Sequence, residues 1–169
     1  METILKNKLK IPYSNFERKL KLAYTAGIVD GEGCLSIRKR RLSSSKKRLY
    51  NHSLTLKVVN TDMRILIFLK NLFRMGTITP HMKKKGLKKS FRWILTGPGA
   101  ESVLFEILPF LVGKKLRAKL CLKFRKTFGN RKYGRGRPLP KKIILNRESL
   151  RNFLMKMNQK GEKIWKSLE

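Results

Sequence analysis

In two stretches of the chain, residues 34–40 and 52–59, apolar and polar side chains alternate from one residue to the next. A period of two is typical of a β-strand that turns one face to the core and the other to solvent. The polar segment 41–51 between them predicts a hairpin connection. A second hairpin is predicted with arms at about Thr77–Lys83 and Lys88–Thr96, in which Phe91, Trp93 and Leu95 point inward.

Helical patterns flank both hairpins. Ser14 followed by Glu17 has the spacing of a capping box. The helix that it opens is expected to run to Val29 or Asp30 and to stop at Gly31, because glycine permits conformations that end a helix. Further helices are predicted at 62–75, 99–111, 114–128 and 147–159, with a short final one ending in Trp165.

This order of elements predicts an α+β fold of the form α-β-β-α-β-β-α, with an antiparallel sheet, helices on one face of it and extra C-terminal helices. The opposite face of the sheet is expected to be exposed and basic. A chain of 169 residues suits one domain. We expect a core of 14–128, preceded by a basic N-terminal arm of 1–13 and followed by a basic loop of 129–142 and by C-terminal helices of 143–169 in the same domain.

The charge balance restricts the kind of partner. Lysine and arginine total 42 against 10 aspartates and glutamates, a formal net charge of +32, which predicts a polyanion, above all nucleic acid. A membrane-surface protein would gather its basic residues opposite an apolar helical face, whereas here they occur in strands, loops and helices alike. No membrane partner and no small-molecule cofactor are therefore expected.

Cysteine and histidine are scarce. Cys34 and Cys121 lie in apolar patterns, so we expect reduced core residues, and with two scattered histidines they cannot form a zinc site of the finger type. The first residues have lysines in every short apolar run, unlike a secretory signal. The protein is expected to be intracellular, in a prokaryotic cytoplasm or in an organelle.

The segment with the most chemical information is residues 25–33, which holds two of the ten acidic residues. Ala23, Ala26, Gly27 and Asp30 are spaced at i, i+3, i+4 and i+7, which predicts one helical face of small side chains that permits close approach of another backbone. Two identical helices crossing there at a two-fold axis would bring their acidic ends together.

The nine residues TAGIVDGEG resemble the motif of the LAGLIDADG homing endonucleases, with Thr25 for the first Leu, Gly31 for the second Ala and Glu32 for the second Asp. The resemblance implies a saddle-shaped sheet and one motif per chain, hence a homodimer joined through the motif helices. It implies that Glu32 binds a divalent metal over the scissile phosphates, with the Gly31 carbonyl as second ligand, and that Asp30 holds the helix end.

The same resemblance implies three further catalytic residues. Asn60, which closes the second strand, would position a water molecule, while Arg64 and Lys114 would stabilise developing negative charge. Oxygen ligands and scarce histidine favour Mg²⁺, or another divalent cation such as Mn²⁺, over zinc. The implied function is that of an intron-encoded, site-specific endonuclease that cuts one phosphodiester in each strand of a long pseudo-palindromic double-stranded DNA.

Sequence reading is assigned to the exposed face of the sheet. Side chains on this face can reach base edges in the major groove, and other basic residues contact phosphates. The predicted DNA-binding residues are Ser36, Arg38, Arg40, Asn51, Ser53, Lys57, His81, Lys83 and Arg92.

Other interpretations remain open at this stage. The motif alone is compatible with a plain helix end followed by a strand. The charge excess is shared by ribosomal-type RNA-binding proteins, and an RNA-binding intron maturase or an inactive DNA-binding relative would keep the same fold. A nuclease of the PD-(D/E)xK class is disfavoured, because Cys34 stands where that class needs a lysine.

Overall fold

The structure, a computed structural model, describes residues 13–41, 50–81, 88–128 and 139–159. It confirms the predicted α+β fold and the predicted order of elements. The elements are α1 (Tyr13–Glu32), β1 (Gly33–Arg41), β2 (Tyr50–Asn60), α2 (Met63–Phe73), β3 (Thr77–Pro80), β4 (Phe91–Thr96), α3 (Gly97–Ile107), a 3₁₀ turn (Leu108–Phe110), α4 (Lys115–Lys126) and α5 (Lys141–Gln159).

The four strands form one antiparallel sheet in the order β1-β2-β4-β3. Gly33 pairs with Val58 at the start of β1, and Arg41 pairs with Tyr50 at the far end of the same hairpin. The alternation read from the sequence is confirmed, since Leu35, Leu54 and Trp93 are buried on the inner face. The helices pack on that face, so one surface of the sheet stays open.

The core lies between the sheet and the helices. It contains the inward residues of the strands and one side of α1, α2, α3 and α4, with Leu150 and Leu154 added from α5. At the turn after α2, Gly76 has a φ of +89°, and a Cβ there would stand 2.3 Å from the Trp93 indole nitrogen. The same nitrogen donates to the Met75 carbonyl at 3.0 Å, so glycine is required where the helix meets β4.

Several predicted boundaries were wrong. α1 does not stop at Gly31 but continues to Glu32, and it begins at Tyr13, so Ser14 lies inside it. The second hairpin has shorter arms than predicted, and α5 begins at Lys141, six residues before the expected start. The Pro140 carbonyl accepts from Ile143 N at 3.0 Å, because proline suits the first turn of a helix. The predicted arm of 1–13 lies almost wholly outside the described residues, and the final helix ending in Trp165 lies outside them.

The two cysteines differ in environment. Cys121 is buried in α4, and burial raises the pKa of its thiol to about 12. Cys34 is exposed, which corrects the expectation of a core residue, because it points to the open face of β1. None of the described helices combines the length and apolar content that crossing a bilayer requires.

Candidate active site and nucleic-acid interface

Helix α1 passes directly into strand β1, and Glu32 is the last residue of the helix. Gly33 makes this junction possible: a Cβ there would stand 2.4 Å from the Val29 carbonyl oxygen, far inside contact distance. Glu32 is exposed. The junction thus presents a carboxylate at the edge where the helix layer meets the sheet.

Glu32 differs from the other acidic residues that the structure describes. Seven of the ten in the chain fall within the described ranges. Six of these seven accept hydrogen bonds or pair with a cation: Glu17, Asp30, Asp62, Glu101, Glu106 and Glu148. Among the described residues Glu32 has neither kind of partner, although basic residues outnumber acidic ones about four to one. Its oxygens are therefore available to an external ligand.

Asp30 fixes the end of α1 to the segment before α4. Its carboxylate accepts from the backbone N–H groups of Val112 at 2.8 Å and Lys114 at 2.7 Å. Hydrogen bonds to a charged acceptor are stronger than neutral ones. The implied role of Asp30 in holding the helix end agrees with these contacts, and its carboxylate is directed to its own chain.

Lys114 completes the same junction. Its ammonium donates to the carbonyls of Val29 at 3.0 Å and Gly31 at 3.4 Å, and also to that of Asp30. Burial lowers the pKa of Lys114 below its ordinary value, with a further lowering from the charge of Arg117. The ammonium satisfies orphan carbonyls at the C-terminus of α1, which explains why the helix extends to Glu32.

Asn60 and Arg64 form a second group at the junction of β2 and α2. The Asn60 side-chain oxygen accepts from Asp62 N at 2.8 Å, and Asp62 caps α2 by accepting from Arg64 N at 2.9 Å. The Arg64 guanidinium also binds both Asp62 oxygens, and these hydrogen bonds lower the Asp62 pKa from its ordinary value of 3.8. Because Gly33 pairs with Val58, this group lies at the same end of the sheet as Glu32.

The oxygen donors at the junction fit a hard divalent cation. Glu32 provides an exposed carboxylate, and the Gly31 carbonyl is adjacent to it in the chain, which is the donor chemistry of Mg²⁺ sites. Within the described ranges, no three side chains of His, Cys, Asp or Glu come together as a metal site. The described residues of one protomer could therefore hold only part of the coordination shell of such a cation.

The exposed face of α1 differs in part from the predicted one. Ala23 and Gly27 are exposed as expected, but Ala26 is 0% exposed. Ala26 lies about 100° around the helix from Gly27, on the side that packs into the core, so its assignment to a dimer interface was wrong. The sequence reasoning missed Leu20 and Tyr24, which are 55% and 57% exposed.

A heptad-like spacing would have identified these two residues. Leu20, Tyr24, Gly27 and Gly31 stand at i, i+4, i+7 and i+11, which places them along one exposed side of α1. A Cβ at Gly27 or Gly31 would meet nothing within 4 Å. Packing inside the described protomer thus does not require glycine at either position. We call these four residues, with Ala23, the open face of α1.

The open surface of the sheet carries the predicted DNA-binding residues that the structure describes. Ser36, Arg38 and Arg40 follow one another on β1, opposite Thr55, Ser53 and Asn51 of β2 in that order. Lys57, Arg92 and His81 continue this surface toward β3; the Arg92 guanidinium donates to the Thr79 hydroxyl at 3.0 Å. Thr79 was not predicted to lie on this surface. It stands two residues before His81, so the period of two along the strand would have placed it on the same face. Lys83 lies outside the described residues.

Comparison with known proteins gives concordant results. The family model for LAGLIDADG endonucleases matches residues 25–128. The chain is 30% identical over 123 residues to the DNA endonuclease I-CvuI of Chlorella vulgaris, a match that covers 70% of this chain and 72% of that protein.

Solved structures share the fold. A crystal structure of the homing endonuclease I-CvuI in complex with DNA has a TM-score of 0.69 at 23% identity, covering 88% of this chain and 87% of that one. The archaeal intron-encoded homing endonuclease I-Vdi141I, complexed with DNA, has a TM-score of 0.67 at 16% identity, covering 85% and 87%.

A longer protein matches differently. The meganuclease I-CpaMI, bound to uncleaved DNA, has a TM-score of 0.62 at 17% identity, and the match covers 76% of this chain but 42% of I-CpaMI. The family model spans the motif at the end of α1, both hairpins, and α2 to α4, and the curated relative is similar over most of both lengths. The chain belongs to the LAGLIDADG endonuclease family.

Proposed function

We propose that this chain is an intron-encoded, site-specific DNA endonuclease that acts as a homodimer on a long pseudo-palindromic duplex and cuts one phosphodiester in each strand with divalent metal. The observation that carries the proposal is the Glu32 carboxylate, which has no partner among the described residues and lies at the end of a helix with an exposed side that contains two glycines, Gly27 and Gly31. The names of its relatives, a DNA endonuclease and homing endonucleases bound to DNA, support the same activity.

The open face of α1 supports the homodimer. A glycine inside a helix costs about 0.5–1 kcal/mol relative to alanine, and neither Gly27 nor Gly31 has a neighbour within the described protomer that requires its small size. A second backbone in close contact would require it. The match to less than half of I-CpaMI is consistent with one chain supplying half of a DNA-binding assembly.

Two copies of α1 crossing through this face would bring two Glu32 carboxylates together. Each protomer would contribute the Glu32 carboxylate and the Gly31 carbonyl as ligands, which resolves the shortage of donors in a single protomer. Bound divalent cations, Mg²⁺ or Mn²⁺, would provide charge stabilisation for the phosphoryl and leaving oxygens and an activated water. The relative I-CvuI has been crystallised with Mg and with Ca, consistent with this use of divalent metal.

The other residues of the site would act around that pair. Arg64 has a side chain that is 91% exposed, so its guanidinium can turn from Asp62 toward a phosphate without loss of packing. Asn60 would orient a water molecule, although its oxygen already accepts from Asp62 N, which leaves its amide group as the donor. Lys114 would act close to the reacting phosphate through the electrostatic field of its ammonium while it holds the carbonyls of Val29 and Asp30. Its contact with the Gly31 carbonyl is the longest of the three, at 3.4 Å, and would yield to the metal.

Recognition of DNA would use the open surface of the sheet. Arg38 and Arg40 are exposed and can pair with guanine edges in the major groove, while Asn51 suits adenine. The homodimer would carry twice the formal charge of +32 per chain, so binding is expected to weaken steeply as salt rises. The two-fold axis of the protein dictates a target with two related halves.

Selection of cleaved sites from a randomised duplex library tests this function. With Mg²⁺ present, the wild-type chain is expected to enrich one long sequence with approximate two-fold symmetry, and Glu32→Gln is expected to bind that sequence without cutting it. Glu17→Gln is the matched control, because it removes another exposed carboxylate of α1. A chain that binds structured RNA and cuts no duplex would contradict the proposal and favour a maturase or an RNA-binding protein.

A further inference from the structure

The inner face of the β1–β2 hairpin changes character along its length. Near Glu32 it is apolar, and its buried apolar residues end at Ile37 on β1 and Leu54 on β2. One step further out, the paired positions are Lys39 and His52, followed by Arg41 and Tyr50. The outer half of the hairpin, residues 38–41 and 50–53, therefore extends beyond the apolar core.

A carboxylate of the C-terminal helix lies beneath this outer half. Glu148 Oε1 is 2.5 Å from Lys39 Nζ and 3.0 Å from His52 Nε2, so one oxygen holds both members of a cross-strand pair. The Lys39 ammonium also lies 4.3 Å from the centre of the Tyr50 ring. Burial alone would raise the pKa of Glu148, but the hydrogen bonds from Lys39 and His52 lower it below its usual value, so the carboxylate is ionised at neutral pH.

Helix α5 is itself held firmly at this point. The neighbouring Arg147 is 3% exposed and donates to the hydroxyl and the carbonyl of Thr127, at 2.9 and 3.0 Å, at the end of α4. Its guanidinium lies 3.7 Å from the centre of the Phe128 ring. At the other end of α5, Asn158 donates to the Leu35 carbonyl at 2.9 Å. Contacts along its length therefore hold α5 against the end of α4 and against β1.

The opposite face of the outer half carries residues that are assigned to DNA recognition. Arg38 and Arg40 alternate with Lys39 on β1, and Asn51 and Ser53 flank His52 on β2. Because side chains alternate across a strand, any tilt of the hairpin at Lys39 and His52 moves these four residues relative to the DNA. A bidentate base contact tolerates little displacement.

We propose that Glu148 is a positioning residue for DNA recognition: by holding Lys39 and His52 from beneath, it fixes the outer half of the hairpin and sharpens the base preference of Arg38, Arg40, Asn51 and Ser53. This inference rests on the proposed function. It assigns to the C-terminal helix a part in target specificity, at a distance from the hydrolytic centre.

The test compares base preferences by position. Cleaved-site selection with Arg40→Ala identifies the base pairs read by the outer half, and selection with Arg92→Ala identifies pairs read nearer β3. Glu148→Gln is then expected to relax the base preference about three- to ten-fold at the pairs read by the outer half. The preference at the pairs read nearer β3 and the rate of cutting the best site should change little. Glu101→Gln is the matched control, because it removes an ion pair with Arg125 between α3 and α4; it should leave both sets unchanged.

A second variant separates positioning from folding. Lys39→Gln removes one partner of the Glu148 carboxylate, and it should relax the base preference at the same positions. This variant provides the test if a thermal melt shows that Glu148→Gln does not fold. A folded Glu148→Gln variant with the wild-type profile, or with equal relaxation at all positions, would overturn the inference. A wild-type chain that selects no duplex at all would instead overturn the proposed function.

Discussion

The β1–β2 hairpin has an acidic residue near each end, and the two are placed in opposite environments. At the outer end, Oε1 of the Glu148 carboxylate is held by both Lys39 and His52. At the inner end, Glu32 is exposed and has no cation or donor among the described residues. In so basic a chain, a carboxylate without a partner is the exception.

This difference separates the acids that fix the fold from the acid that we propose for the active site. Asp30, two residues before Glu32, belongs to the structural group, since it accepts two backbone N–H groups of the segment before α4. The chain thus uses one carboxylate to fix the helix end and leaves the next one open to an external ligand. A carboxylate on a fixed segment of backbone is better placed to bind a metal than one on a mobile segment.

The largest expected effect is on catalysis at the inner end. Glu32→Gln should reduce cleavage by about 10³-fold or more, because the proposed metal ligand loses its charge. Duplex affinity and unfolding free energy should stay near wild type, since no contact of Glu32 within the described residues is lost. Single-turnover cleavage and thermal unfolding measure the two quantities. Cutting by this variant at the rate of Glu17→Gln would refute the assignment.

Removal of the fixed acid should instead affect stability. Asp30→Asn leaves a neutral amide that can accept with one oxygen only, so one of the backbone N–H groups of Val112 and Lys114 loses its acceptor and the other loses the charge on its acceptor. We expect the free energy of unfolding to fall by about 1.5–3 kcal/mol. Urea denaturation measures it, and an unchanged midpoint and slope would contradict the role of Asp30 at the helix end.

The open face of α1 should respond through self-association. Gly27→Leu places a large side chain where nothing in the described protomer would clash with it, so the fold should persist while dimers weaken about ten-fold or more. Sedimentation at several concentrations follows the shift from twice 19.8 kDa toward one protomer. Tight dimers of Gly27→Leu would show that α1 is not the contact.

The smallest expected effect is on the free energy of unfolding at acid pH, through the contact at the outer end of the β1–β2 hairpin. The folded pKa of Glu148 is depressed, so its contribution to stability is present above the ordinary value of 4.5 and is lost as pH falls through the lower folded value. The difference in unfolding free energy between wild type and Glu148→Gln should therefore shrink from about pH 6 to about pH 3. A difference that grows as the pH falls would contradict a stabilising contact between the ionised Glu148 carboxylate and its partners.

Much of the fold could be predicted from sequence because the signals are local, and the motif is also local, so it singles out Glu32 as the candidate centre of the site. Alternation at Leu35 and Ile37 identified the inner face of β1, and the glycines of the motif predicted the end of α1, although the helix continues past Gly31 to Glu32. Both predictions depend on residues close together in the chain. The family comparison confirms the motif and the unit that contains it.

The remaining features depend on contacts between distant segments. The spacing of Ala23, Ala26 and Gly27 fits one helical face, but packing beneath the sheet decides that Ala26 is buried. Similarly, nothing near Glu148 in the sequence indicates that it meets Lys39 and His52 about a hundred positions away. Helix α1 passes Gly31 because Lys114, far along the chain, satisfies its last carbonyls.

A spin-label measurement at position 32 tests the convergence of two protomers most directly. Labels are attached to Glu32→Cys in a background in which Cys34→Ser and Cys121→Ala remove the native thiols, with Glu17→Cys as the control. Bound to duplex target, labels at position 32 should lie close enough to broaden each other's spectrum by dipolar coupling, whereas those at position 17 should not. Narrow lines at position 32 in a sample that sediments as a dimer on DNA would contradict the shared active site.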